Sequence, residues 1–290
     1  MQGTREIRRR IRTVKSIQQI TRAMQMVAAS RFKRVEKNVL SARPYRTLIR
    51  EMLQEVVAAI PNLNHPLLVK RSPNSIGLVL ITADRGLCGA YNANILREIN
   101  RHIEALTGKQ IKLFLIGKKG HNFFSKRSHE IIASEPLPPM QEAFSMTQKI
   151  IGVLTEEFEE GRLDEVHLFY TLFKTAMSSV PTRLTLLPME SPSGEGGETT
   201  GEPIFEPSAE AIIESLLPRY LEAQVFGALL ESAASEQGAR MVAMKNATEN
   251  AEEMISDLTM TYNKARQAGI TKEILEIVSG AEALGEVRKT

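Results

Sequence analysis

The hexapeptide Asp84 to Gly89, DRGLCG, follows the apolar run Ile76–Ala83. Glycines placed after a buried strand suit a phosphate loop, where backbone N–H groups approach an anion closely. The spacing is wrong for either common form. A dinucleotide fingerprint needs G-x-G-x-x-G and a P-loop needs G-x-x-x-x-G-K-[ST], and Gly86 and Gly89 satisfy neither. A tight turn with close backbone packing accounts for both glycines; anion binding at the next helix N-terminus is the alternative. Cys88 is the sole cysteine. An intrachain disulfide, a CxxC redox pair and a cysteine zinc site are therefore ruled out, and no nearby histidine would activate Cys88 as a nucleophile. The five histidines show no HExxH-like grouping. No catalytic, cofactor or metal residue is assigned.

Two other stretches are arranged for charge recognition. Residues 1–37 hold eleven Lys and Arg against Glu6 and Glu36, a net +9, while the whole chain carries +3, leaving −6 for the rest. Such a segment suits a solvated helix side, an acidic protein partner or a phosphate backbone. Its arginines straddle an apolar stripe, whereas a DNA-reading basic region is polar all round before its heptads begin. Near the other end, KARQAGITKE (Lys264–Glu273) places Arg266 and Gln267 off the apolar face and Gly269 inside a strong helix, at about 1 kcal/mol relative to Ala. Close approach of a partner would explain the glycine; tolerance would too.

These groups are carried by two long helices. From about Ser208 to Ala283 the pattern is helical, and Ala251, Ile255, Leu258, Tyr262 and Ala265 recur every 3.5 residues, which calls for a second helix along that seam. At 1.5 Å per residue the segment reaches roughly 110 Å, far beyond a compact domain. The second helix is N-terminal. Ile7, Ile11, Val14, Ile17, Ile20, Met24 and Val27 form a stripe on a helix running to about Ala59, with a kink or short break expected near Ala42–Tyr45 because of Pro44. About 50 residues of antiparallel overlap would give roughly 75 Å of contact.

Between the helices the period changes. Strands are expected at Ile76–Ala83, Lys112–Gly117, His129–Ala133, Glu165–Thr171 and Arg183–Leu187, with helices at Ala93–Leu106, Lys118–Ser125 and Met140–Gly161. This alternation predicts a small α/β, Rossmann-like domain with a largely parallel sheet, inserted into a long antiparallel coiled coil. The expected boundaries are 1–60 for the N-terminal helix, 75–190 for the α/β domain, 191–207 for an exposed Gly-, Glu- and Pro-rich loop and 208–290 for the C-terminal helix. With 42% hydrophobic and 5% aromatic residues, no Trp and 12 Met, the composition favours helix-to-helix packing over a large β core. No apolar run approaches the roughly 20 residues of a membrane span, and no signal-peptide core is seen, so a soluble chain is expected.

The segments IRRRIRTVKSIQQITRAMQMVAAS, ITADRGLCGAYN, SEQGARMVAMKNATENAEEMI and YNKARQAGITKEILEIVSGAEAL closely resemble the gamma subunit of F-type ATP synthases. The resemblance implies a non-catalytic rotor: the terminal helices form a curved central shaft inside three alpha and three beta subunits, and the α/β domain is a foot on the c-ring beside epsilon. A single copy per complex would couple ion flow to ATP synthesis by presenting different faces to the beta subunits. It implies beta-subunit contacts at Arg8, Arg9, Arg12, Met24, Asp84, Arg85, Gly86, Gly89, Arg240, Arg266 and Gln267, an apolar bearing at Ile274, Ile277, Val278, Ala281 and Leu284, and a c-ring contact at Phe205. A chloroplast-type regulatory cysteine insertion is not seen. The ordinary Met start suggests a peripheral protein on the cytoplasmic face of a bacterial inner membrane. A basic coiled-coil nucleic-acid binder is the competing class.

Overall fold

The computed structural model describes residues 4–60, 63, 65–189, 205–206 and 208–287, with side chains as far as Ser279. The expected loop 191–207 therefore lies outside the described residues except for Phe205 and Glu206. Its elements run α1 (Thr4–Ala59), a short 3-10 turn (Pro66–Leu68), β1 (Ser75–Ile81), α2 (Tyr91–Ala105), β2 (Gln110–Ile116), α3 (Lys118–Phe124), β3 (Glu130–Glu135), α4 (Ala143–Glu159), β4 (Glu165–Thr175), β5 (Ser178–Leu187) and α5 (Ala209–Val287). The chain divides into two units, Met1–Val27 with Ala243–Thr290, and Ala28–Val242. The division cuts both long helices instead of falling at their ends. The reason lies in their inner residues, which belong to the core of the sheet unit.

In the larger unit the strands lie in the order β3-β2-β1-β4-β5. β1 is parallel to β2 and β4, and β2 to β3, while β5 returns antiparallel along β4. Side chains alternate across the sheet, as the two-residue period requires. Ile76, Leu78 and Leu80 pack with Ile95 and Ile99 of α2 and Phe124 of α3. Val79 and Ile81 face the other way, into a cluster with Leu154 and Phe158 of α4, Ile49, Leu53 and Val56 of α1, and Leu217 to Leu229 of α5. Parallel strands covered on both faces read as continuous apolar runs, which is why β1, β2 and β4 are visible in the sequence. The expected β5 was too short: Ser178–Thr182 is polar and contains Pro181, a composition allowed at a sheet edge.

Of the kink or short break expected near Ala42–Tyr45, the break is not there. α1 is continuous through Pro44, and both Pro44 and Leu40, whose carbonyl loses its helical donor, are exposed. Within this unit α1 and α5 run antiparallel: Arg46 meets Gln224 and Glu231, while Phe32 lies beside Gly238. Phe32 also packs edge-on to Phe173 of β4, with ring centroids 5.7 Å apart.

In the smaller unit the same two helices pair along Ile7, Ile11, Val14, Gln18 and Thr21 of α1 and Met244, Ala251, Ile255, Leu258, Tyr262 and Ala265 of α5. The α5 residues are the seam the sequence predicts. The α1 stripe needs correction. Ile17 and Ile20 are 47% and 59% exposed and Val27 is exposed too, because a strict four-three alternation from Ile7 passes through Gln18, Thr21 and Gln25. Thr21 and Thr248 share a hydrogen bond of 2.8 Å across this seam.

Candidate functional site: the loop after β1 and the exposed helix faces

In a doubly wound sheet ligands enter at the carboxyl ends of the strands, where the strand order reverses. Here that point lies between β1 and β4, and the chain fills it with its own groups. Backbone N–H of Thr171, on β4, donates to Ser232 Oγ, and Ser235 Oγ donates back to the Thr171 carbonyl, both at 3.2 Å. Tyr91 lies in the same region, and burial pushes its phenol well above the ordinary tyrosine value, with Glu236 adding to the effect. Ser232, Ser235 and Glu236 are all buried on α5. The crevice that binds nucleotides in other sheets of this kind is thus occupied by a helix.

The loop itself is tied down at almost every residue. Thr82 Oγ1 accepts from Gly120 N at 2.9 Å, and Ala83 N donates to Asn92 Oδ1 at 3.0 Å. Gly117 has a φ of 98°, and a Cβ there would lie 2.1 Å from the Thr82 carbonyl oxygen, so only glycine fits. Asp84 Oδ1 accepts from Lys118 N at 2.9 Å and Leu137 N at 3.1 Å. Arg240 pairs with Glu236 at 2.7 Å and donates to the Gly86 carbonyl at 3.3 Å; its side chain is only 12% exposed. Burial raises the Glu236 carboxyl above its ordinary value against the pull of Arg240. Burial also raises the Cys88 thiol, countered by Arg240, which disfavours the thiolate a nucleophile needs.

Of the residues singled out in the sequence, Asp84, Gly86 and Arg240 are brought together, but with their polar groups turned into the protein. They hold the loop, and Arg85 and Gly89 are its exposed members. The exposed Leu87 was not singled out at all. Its φ of 63° is left-handed, a conformation that costs a side-chain-bearing residue roughly 1–2 kcal/mol.

In the smaller unit Arg8 donates to the Tyr262 hydroxyl and stacks its guanidinium 5.3 Å from the ring centroid. Arg9 and Arg12 are exposed and Met24 is partly buried. Every side chain from Arg266 to Ser279 is exposed, including Gln267, Ile270, Ile274, Leu275, Ile277 and Val278. Among the described residues, nothing lies within 4 Å of where a Cβ on Gly269 would stand. The side chains of Ala281 and Leu284 lie outside the described residues. Phe205 is partly buried against the core of the larger unit, so its ring is in part a packing group.

These features define a class: a long-helix subunit on a doubly wound sheet whose crevice its own helix closes, with charged and apolar helix faces left for other chains. Residues 3–284 match the family model described as ATP synthase. The chain is 46% identical to the ATP synthase gamma chain of Heliobacterium modesticaldum, over 98% of this chain and 100% of that relative. It is 45% identical to that of Desulforamulus reducens, with the same coverage. Among solved structures, a chain of the Tetrahymena thermophila mitochondrial ATP synthase central stalk and c-ring is 28% identical with a TM-score of 0.58, covering 79% of this chain and 99% of that one. A chain of the Euglena gracilis mitochondrial ATP synthase shares the fold at a TM-score of 0.73 and 22% identity, covering 99% and 96%. The chain belongs to the ATP synthase gamma chain family. Its likeness gives the nucleic-acid reading of the basic helix no support.

Proposed function

We propose that this chain is the central-stalk rotor of an F-type ATP synthase, one copy per complex and without catalytic residues of its own. The observation that carries the reading is the exposed stretch Arg266–Val278 on a chain so similar, end to end, to gamma chains. Apolar side chains at Ile270, Ile274, Leu275, Ile277 and Val278 gain nothing in water, and a sleeve of alpha and beta subunits would cover them. Ile17, Ile20, Met26 and Val27 present a similar exposed apolar set on α1. Arg9, Arg12, Arg266 and Gln267 suit polar contact with beta subunits that differ in nucleotide state. Unequal contact with those states is what converts rotation into a shift of their equilibrium. Torque would enter through the α/β domain from the c-ring, with epsilon alongside.

No described helix is long and apolar enough to cross a membrane. We place the protein peripherally, on the cytoplasmic face of a bacterial inner membrane, held there by its partners. The test is assembly: mixed with purified alpha and beta subunits, the chain should enter a complex of one copy to three and three, as read by native mass spectrometry. A chain that stays outside that complex would refute the proposal.

A further inference from the structure

We propose that the edge of the α/β domain just before β2 and β3, carrying Lys109, Lys126 and Arg127, rests on anionic phospholipid headgroups. The inference takes from the rotor reading only which way that edge faces. Its charge stands out from the surrounding sequence. Beyond residue 37 the chain nets −6, yet residues 109–129 hold six Lys and Arg and no Asp or Glu. Lys112 is taken up by Glu157, at 3.4 Å. Of the others, Lys109 immediately precedes β2, and Lys126 and Arg127 lie in the turn that leads from α3 into β3. β2 and β3 are parallel neighbours, so a strand spacing of about 4.8 Å brings both turns to one end of the sheet. The second turn is held in place. Phe124 is fully buried, and Arg127 N donates to its carbonyl at 2.9 Å. The Arg127 guanidinium stacks 3.5 Å from the Phe123 ring centroid and donates to the Phe123 carbonyl at 2.8 Å. Lys126 and Arg127 are nonetheless exposed.

Beside these cations lies a cleft of about 450 Å³, where apolar Ile103, Leu106 and Ile111 meet Lys109, Ser128 and His129. One carboxylate also lines it, Glu130, which accepts from Gln110 Nε2 at 3.3 Å, and Glu104 is exposed on the last turn of α2. The three cations outnumber them. Cations next to an apolar recess match the chemistry of an interfacial phosphodiester. Its phosphate takes the ammonium and guanidinium donors, and its glycerol and first carbons take the recess. An acidic protein would satisfy the charge too, but direction separates the two occupants. The carboxyl ends of the same sheet carry the loop after β1, which the rotor reading turns toward the beta subunits, so the amino ends face the ring and the bilayer around it. A fluid headgroup layer also attracts basic residues without fixed register, and therefore would not hold a rotor at one angle.

For the experiment the full-length chain is labelled at Ser128→Cys with an environment-sensitive dye, assembled with purified alpha and beta subunits, and mixed with vesicles. The native Cys88 is buried and out of the dye's reach. Vesicles of phosphatidylcholine with phosphatidylglycerol should bind the complex and shift the dye; phosphatidylcholine alone should do neither. Lys126→Gln with Arg127→Gln should weaken binding to the anionic vesicles about tenfold or more, whereas the charge-keeping pair Lys126→Arg with Arg127→Lys should bind like wild type. Unchanged affinity of the Gln variant, or a dye that ignores anionic vesicles, would overturn the inference. So would displacement by inorganic phosphate beyond that by chloride at equal ionic strength, which marks a site for a free anion. Loss of a protein subunit from the Gln-variant complex with vesicle binding intact would overturn it in favour of an acidic protein partner. If the wild-type chain joins no complex with alpha and beta subunits, it is the rotor reading that has failed.

Discussion

Arg46 offers the sharpest test of how the larger unit is held together. It occupies a seam position of α1, between the buried Ile49 and the partly buried Ala42, where an apolar side chain is the rule. Its guanidinium donates to Glu231 Oε1 at 2.8 Å and Gln224 Oε1 at 3.1 Å on α5. Gly227 lies between those two positions, and a Cβ there would fall 2.6 Å from Arg46 Cδ. Glycine is what lets the side chain cross the helix. The Glu231 side chain is 5% exposed, and its second oxygen, Oε2, is buried with no hydrogen-bond partner among the described residues. Arg46→Met would therefore strand a buried carboxylate, at a cost of about 3–5 kcal/mol. At roughly 2–4 °C per kcal/mol for a domain of this size, melting should fall by about 6–20 °C. Arg46→Met combined with Glu231→Leu removes both charges and should recover most of that loss, because a well-packed apolar pair often equals or exceeds a buried ion pair. Scanning calorimetry of the single, double and wild-type chains closes the cycle. A single variant that melts like wild type would refute the reasoning, as would a double variant no more stable than the single.

Other perturbations separate seam from surface. Leu258→Asp puts a charge into the paired helices of the smaller unit and should destabilise that pair by a few kcal/mol, measured by urea denaturation followed by circular dichroism. Arg266→Ala with Gln267→Ala should leave melting unchanged, since both are exposed, and should reduce hydrolysis-driven ion pumping of the assembled enzyme. A pH effect is expected at the His102–His167 pair, whose rings lie 5.1 Å apart. Burial and Arg183 lower both to about 4, even though Glu165 lies 3.1 Å from His167. Both are thus neutral in the fold and protonate more readily when unfolded. The stability they lend is present above about pH 6.5 and is lost as pH falls toward 4. Melting between pH 7 and 4.5 should drop, and His102→Gln with His167→Gln should flatten the slope.

Much of the architecture was legible because apolar spacing carries it. The α5 seam and the buried strands β1, β2 and β4 stand out as periodic or continuous apolar runs. The reading failed where polar residues do the packing. In α1 it followed Ile17 and Ile20 when the seam passes through Gln18 and Thr21, and it passed over Arg46 for the same reason. The loop after β1 was found by its glycines, but the hydrogen bonds that tie Asp84 and Arg240 into it were not. Arg240 is 154 residues from Gly86 in sequence, and its engagement inside the protein depends on a tertiary contact that spacing cannot reveal. Leu87 left no signal either, since a left-handed leucine looks like any other in a sequence.

The rotor claim is tested most directly by watching this chain move. A bead fixed to the α/β domain, in a complex whose beta subunits are anchored to glass, reports its motion during ATP hydrolysis. The account predicts stepwise rotation in one direction that stops when ATP is removed. A bead that stays still, or only diffuses, while the same complexes hydrolyse ATP would contradict it.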